Sequence, residues 1–335
     1  MASTFMFAFN AIMPIILLIG LGYLLKKAKF IDTHFVNILN KYIFRVALPV
    51  LLFFNVYEIS DFSEIKWGVV LFSVTSIMIT YGIGLLVVML MTKDPKQKGV
   101  VLQSIVRSNF ALIGVPLAQA LGGTEALAIV AILSAFTIPL ANILSVIALT
   151  MFQRDEAGEK ISKKKMAINV LTNPLIIGVF LGLFVLFIRS FIPRVDGELV
   201  FSIKNNMAFS YNSIKMISQT ASPMALIALG GQFEISVVKS LAKQITIGVL
   251  GRILFVPGIS LAIAYALESR IRGMEYSYAA LIALFGSPVA VSSVIMAHEM
   301  GGDDILAGQL VVWSTLLSMI TIFLFVVFFR SVGAI

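Results

Sequence analysis

The chain has 335 residues, 59% of them hydrophobic and only 13% charged, with no cysteine and a formal net charge of +8. A soluble domain carries about 25% charged residues, so a soluble globular class is excluded. The missing cysteines exclude a disulfide framework and thiolate chemistry. The positive charge does not mark a nucleic-acid partner, because the basic residues lie mostly in short loops between apolar runs, where orientation in a bilayer explains them.

Apolar runs near 20 residues recur along the whole length. The fold class read from them is an all-α polytopic membrane protein in the lipid bilayer, with ten transmembrane helices. The first twenty residues, "MASTFMFAFNAIMPIILLIG", lack a basic leading segment and an obvious cleavage site, so they read as the first span and not as a removable signal. The ten expected spans are 7–25, 38–57, 67–91, 99–120, 125–151, 168–190, 206–231, 241–267, 276–298 and 304–329. The longest hydrophilic stretch, "QRDEAGEKISKKK" at 153–165, splits them five and five. This divides the chain into a first repeat at 1–152, a linker loop at 153–166 and a second repeat at 167–335.

Lysine and arginine set the orientation. With the N-terminus outside, the inner loops hold 14 of them, among them Lys26, Lys27, Lys93, Lys96, Lys164 and Lys239, and the outer segments hold 7. The bias places both termini outside and the central loop in the cytosol, across the cell membrane.

The halves echo each other. "NAIMPIILLIGLG" at 10–22 resembles "NVLTNPLIIGVFLG" at 169–182, and "RVALPVLLF" at 45–53 resembles "QTASPMALI" at 219–227. "LGGTEALA" at 121–128 resembles "MGGDDILA" at 300–307. A five-span copy re-enters the membrane from the opposite side, so the second repeat is inverted. Inverted repeats with interrupted helices mark transporters, with the substrate site where the interruptions meet.

Two spans are interrupted. The fourth contains "SNFALIGVP" at 108–116, with Ser108, Asn109, Gly114 and Pro116, directly after Arg107. The ninth contains "FGSPVAVSSV" at 285–294, with Ser287, Pro288, Ser292 and Ser293. Proline removes a backbone N–H and frees a carbonyl, and in hydrocarbon such groups must line a cavity or pack on protein. Half-helix N-termini aimed inward suit an anion. The alternative is an ordinary proline kink repaired by serine. Asn109 either holds a carboxylate or bridges broken backbone, and Arg107 either grips a carboxylate through two N–H groups or fixes the half-helix. Arg252, deep in the eighth span, either stays hydrated or bonds freed carbonyls. Gln219, Ser222 and His298 are supporting polar candidates. Arg45 and Lys215 lie near span ends and reach the interface.

Glu58 and Asp61 flank the outer end of the second span, and no Asp or Glu lies deep in any span. No metal site and no cofactor are expected. The absence of a buried acid weakens proton or sodium coupling without removing it, because carbonyls and hydroxyls at the breaks also hold sodium. A membrane negative inside drives an anion outward by about 2.3 kcal/mol per charge at 100 mV, so an exporter needs no coupling ion and an importer does.

"RSNFALIGVPLAQAL", "TNPLIIGVFLGL", "ASPMALIALGGQF" and "GSPVAVSSVIMAHEMGGDDIL" resemble the auxin efflux carrier family, which includes plant PIN-type carriers and bacterial malate permeases. The resemblance covers essentially the whole chain, and Asn109, Gly114 and Pro116 are its most specific piece. It implies two inverted five-helix repeats with spans four and nine crossing at their prolines. The first two spans of each repeat form a scaffold and the other three a transport domain, and the carriers form homodimers. It also implies a substrate carboxylate bound at the crossing. "PVAVSSV" departs from the plant motif, which carries a second proline near Ser293, so indole-acid specificity does not carry over. The expected function is a secondary transporter of small carboxylates such as malate, working by an elevator-like shift. Export of auxin-like monocarboxylates and a sodium-coupled bile-acid-type symporter are the alternatives. With two histidines far apart in sequence and no thiol, an enzyme is not expected.

Overall fold

A computed structural model describes residues 2–57, 66–153, 162–195 and 198–335. Among the described residues the architecture is almost wholly helical. In chain order the helices of eight or more residues are α1 (Ala2–Lys27), α2 (Thr33–Tyr57), α3 (Trp67–Met91), α4 (Pro95–Val106), α5 (Val115–Met151), α6 (Lys163–Leu171), α7 (Pro174–Arg189), α8 (Ala208–Gln232), α9 (Ala242–Ala266), α10 (Tyr278–Gly286), α11 (Ser292–Glu299) and α12 (Asp304–Ser331). A two-residue hairpin, Arg194–Val195 against Glu198–Leu199, follows α7.

Among the described residues, five helices are long and apolar enough to cross a membrane: Thr33–Tyr57, Trp67–Met91, Leu117–Met151, Ala242–Ala266 and Asp304–Ser331. They coincide with the second, third, fifth, eighth and tenth expected spans. The fourth expected span is divided between α4 and the start of α5, and the ninth between α10 and α11. Glu58, Asp61 and most of the expected linker loop lie outside the described residues.

Three helices widen locally into a π turn: Ile43–Ala47 in α2, Phe110–Gly114 before α5 and Gly251–Phe255 in α9. Each turn ends two residues before a proline: Pro49, Pro116 and Pro257. The residue just before each proline donates to the carbonyl five residues back: Leu48 to Ile43, Val115 to Phe110 and Val256 to Gly251. A proline ring clashes with the carbonyl four residues earlier and offers no N–H. Widening the preceding turn moves that carbonyl aside and lets the helix continue.

Glycines set the closest helix contacts. A Cβ on Gly22 of α1 would lie 2.1 Å from the Ile227 carbonyl oxygen of α8, and one on Gly230 would lie 2.0 Å from that of Ile19. On α7, a Cβ on Gly182 would lie 2.8 Å from the Val56 Cβ and 3.0 Å from the Phe53 oxygen of α2. Backbones this close are the packing that small residues permit inside a membrane. The two contacts correspond. Gly22 and Gly182 each stand eight residues after a proline, Pro14 and Pro174, and Ile227 and Phe53 each stand four after one, Pro223 and Pro49.

Candidate functional site

The site forms where the two interrupted helices meet. α4 stops at Val106 and Arg107 is extended (φ −84°, ψ 100°). α10 stops at Gly286 and Ser287 is extended (φ −62°, ψ 144°). Extended backbone in an apolar interior must find partners for its N–H and C=O groups. Here the two breaks supply each other, as Ser108 and Val289 form an antiparallel bridge. Asn109 N–H donates to the Pro288 carbonyl at 2.8 Å and Ala290 N–H to the Arg107 carbonyl at 3.1 Å. The Val289 N–H is taken by Ser314 Oγ of α12 at 3.1 Å.

This corrects the expectation that the spans cross at their prolines. Pro288 lies in the crossing, but Pro116 stands in the first turn of α5, beyond the π turn Phe110–Gly114. Pro116 accounts for the π turn, and the break itself is Arg107–Asn109. Gly114 is there for space: a Cβ would lie 2.4 Å from the Phe110 ring and 2.9 Å from the Ala283 carbonyl oxygen of α10.

Arg252 settles its two alternatives. It is buried, and each of its five N–H donors has a main-chain acceptor. Nε bonds Ser287 O at 2.9 Å, one terminal nitrogen bonds Ile105 O at 3.1 Å and Val106 O at 3.2 Å, and the other bonds Leu284 O at 3.1 Å and Phe285 O at 2.6 Å. Four of these are carbonyls that a helix end leaves without intrahelical partners, and the fifth, Ser287 O, belongs to the break. A cation there also meets the negative ends of two helix dipoles.

Arg107 is arranged differently. It is buried, and its guanidinium donates to Asn142 Oδ1 of α5 at 2.6 Å and to the Met296 sulfur of α11. Both partners are neutral. Asn109 is 5% exposed, and its amide nitrogen has no partner among the described residues. A buried donor without a partner costs about 1–3 kcal/mol.

Two of the four serines are occupied. Ser108 Oγ donates to Leu284 O at 2.7 Å and Ser287 Oγ to Ala283 O at 2.6 Å, so both repair backbone. Gln103 Nε2 donates to Ser293 O at 3.0 Å, while Ser293 Oγ is buried without a partner. Ser292 begins α11, beside the break.

A cavity opens against the crossing. Arg107, Ser108, Asn109, Ser222, Arg252 and Ser292 all line it, so the structure brings these expected residues together. Four polar residues not singled out from sequence line it too: Asn55, Thr80, Thr137 and Asn142. A lone amide in an apolar helix was the available signal for Asn55 and Asn142. Gly114, Ser287, Pro288 and Ser293 stand at the crossing without lining the cavity, and two further candidates lie elsewhere. Gln219 is exposed on α8. His298, at the far end of α11, pairs its Nδ1 with Asp304 Oδ2 at 2.6 Å. Arg45 is exposed, and the Lys215 ammonium sits 5.4 Å from the Tyr211 ring.

Among the described residues, no Asp or Glu side chain is buried, and no three His, Cys, Asp or Glu side chains gather in a metal-binding group. Two buried guanidiniums therefore meet at the crossing without a buried carboxylate. Apolar spanning helices, two helices broken against each other and a cationic cavity at the break define a membrane transport protein. The chain matches the family described as membrane transport protein over residues 7–326, nearly its whole length, and belongs to that family, that of the auxin efflux carriers. Members of the family are transporters and not enzymes. No curated protein matches the chain.

Proposed function

We propose that the protein is a secondary transporter of small organic anions, with the cargo carboxylate held at the crossing by Arg107 and Asn109. The observation that carries this reading is the unbalanced charge. Arg107 is buried, and the two bonds its guanidinium makes go to neutral side chains, so it lacks the shell of five carbonyls that satisfies Arg252 and is suited to a carboxylate. Asn109 adds a donor with no protein partner, and the helices that follow the breaks turn their N-terminal ends toward the same place, which favours an anion. With no buried acid among the described residues, the field of the two guanidiniums favours an anionic cargo, a dicarboxylate such as malate in this reading.

The transport cycle in this reading is an elevator-like shift. α1, α2, α7 and α8 act as the scaffold, and α3–α5 with α9–α12 carry the crossing. The matched glycine contacts, Gly22 of α1 against α8 and Gly182 of α7 against α2, support two inverted five-helix repeats. The lysine and arginine bias supports a cell-membrane orientation with both termini outside and residues 153–166 in the cytosol. The functional unit is a homodimer. A malate exporter of this kind runs on the membrane potential without a coupling ion.

Competition binding on purified protein tests the reading. Malate displaces a labelled dicarboxylate, and indole-3-acetate displaces it only at far higher concentration. Equal or stronger displacement by indole-3-acetate assigns the site to monocarboxylates, and no displacement by any carboxylate removes the proposal.

A further inference from the structure

We propose that Arg252 is a positioning residue that clasps the two broken helices into one body, and that it does not contact the cargo. The proposal rests on the reading of the crossing as a carboxylate site. Arg252 lines the same cavity as Arg107, so position alone makes both equally good anion ligands. Donor counting separates them. A guanidinium has five N–H groups in a rigid fork, and in Arg252 all five are used on carbonyls. Two of the acceptors, Ile105 and Val106, end α4. The other three, Leu284, Phe285 and Ser287, end α10 and begin its break. No donor is left for an anion.

Without the fork, two helix C-termini would face each other with like dipole ends, and of their four carbonyls that it binds only Leu284 O would keep a bond, from Ser108 Oγ. The bridge at Ser108 and Val289 joins the breaks through only two main-chain bonds, Asn109 to Pro288 and Ala290 to Arg107. Arg252 adds five more and recruits a third helix, α9. The placement is built into α9. Arg252 sits in the π turn Gly251–Phe255, which Pro257 requires. It follows Gly251, where a Cβ would stand 2.9 Å from Ile105 Cγ1. Glycine lets α9 approach α4 closely, and the π turn aims the next side chain at both helix ends. The carboxylate is then read by Arg107 and Asn109, whose spacing Arg252 fixes.

Lysine at position 252 tests this, because it keeps the charge and offers three donors in place of five. Three readouts are compared on purified protein in nanodiscs: melting temperature, malate binding against its uncharged diamide, and amide hydrogen exchange of segments 105–115 and 284–292. For Arg252→Lys the expected results are faster exchange confined to those segments and malate Kd raised about 10- to 100-fold, the scale of a 1 Å misplacement. The preference for malate over malamide is kept. Arg107→Gln gives the converse, with slow exchange and the preference lost.

Unchanged exchange in Arg252→Lys overturns the clasp. Loss of the acid-over-amide preference makes Arg252 a cargo ligand, and a lowered melting temperature with unchanged Kd makes it structural only. Either result overturns the proposal. Gly251→Ala, which pushes α9 off α4 without touching the guanidinium, is the milder second variant should Arg252→Lys fail to fold, with the same expected direction in exchange and Kd. If the wild-type protein binds no carboxylate, the proposed function fails, and the exchange readout still decides whether Arg252 clasps the helices.

Discussion

Replacing Gly114 by alanine is a small change with a calculable effect on the crossing. The backbone there is right-handed helical (φ −67°, ψ −43°), so alanine meets no conformational penalty. Space is what it lacks. Its Cβ would lie 2.9 Å from the Ala283 carbonyl oxygen, about 0.5 Å inside ordinary contact, and 2.4 Å from the Phe110 ring, about 1 Å inside it. Phe110 is 1% exposed, so the ring is held by packed neighbours and moves only by disturbing them. Overpacking of this kind costs about 1–3 kcal/mol, and replacing glycine by alanine returns up to about 1 kcal/mol of helix propensity. The remainder is relieved by moving the π turn off α10 by about 0.5 Å, the tolerance within which a binding site must be held. We expect malate Kd to rise about tenfold, or about 1.4 kcal/mol, with a melting temperature lower by a few degrees. Gly286→Ala is the control on the facing helix, because its Cβ would meet only Ile322 at 3.6 Å and Ile282 at 3.9 Å. It leaves both readouts unchanged. Equal behaviour of Gly114→Ala and Gly286→Ala in calorimetric binding and thermal unfolding would refute the close approach.

Asn109→Ala separates stability from function: its amide nitrogen has no partner, so the variant melts no lower than wild type and binds malate about 10- to 100-fold more weakly, at about 1–3 kcal/mol for a lost hydrogen bond to a charge. A lower melting temperature with unaltered binding would make Asn109 a backbone-repair residue. On α1, Gly22→Ala lowers the melting temperature because its Cβ would sit 2.1 Å from the Ile227 oxygen, while Gly20→Ala, with nothing within 4 Å, leaves it level or higher. Thermal unfolding of the pair in detergent checks this, and Gly182→Ala on α7 follows Gly22→Ala if the two contacts are counterparts. His298→Ala leaves malate Kd unchanged, since His298 pairs with Asp304 away from the cavity. A weakened Kd in the same binding assay would restore it to the site.

The helices were legible because apolar length and glycine or proline punctuation are local. The crossing was legible as two interruptions at Ser108 and Ser287, both polar positions in apolar runs. The meeting point was not. Pro116 and Pro288 look alike in sequence, yet one marks a π turn and the other the bridge, and only the pairing of Asn109 with the Pro288 carbonyl distinguishes them. Arg252 was visible as a buried cation, but its partners are main-chain oxygens of Ile105, Val106, Leu284, Phe285 and Ser287. Their side chains carry no trace of that role. Asn142 was overlooked because a single amide in "LANIL" is weak until Arg107 is seen to donate to it. Gln219 and His298 read as candidates from sequence because hydropathy gives depth and not the direction in which a helix face turns.

The most direct measurement is uptake of labelled malate into proteoliposomes that contain the wild-type protein or Asn109→Ala, with membrane potential, sodium and pH varied. Saturable, potential-dependent malate movement in the wild type, insensitive to sodium and collapsed in Asn109→Ala, is the result the crossing predicts. Malate movement equal in the two proteins, or none in the wild type while it moves a neutral or cationic solute, would contradict an anion site built on Arg107 and Asn109.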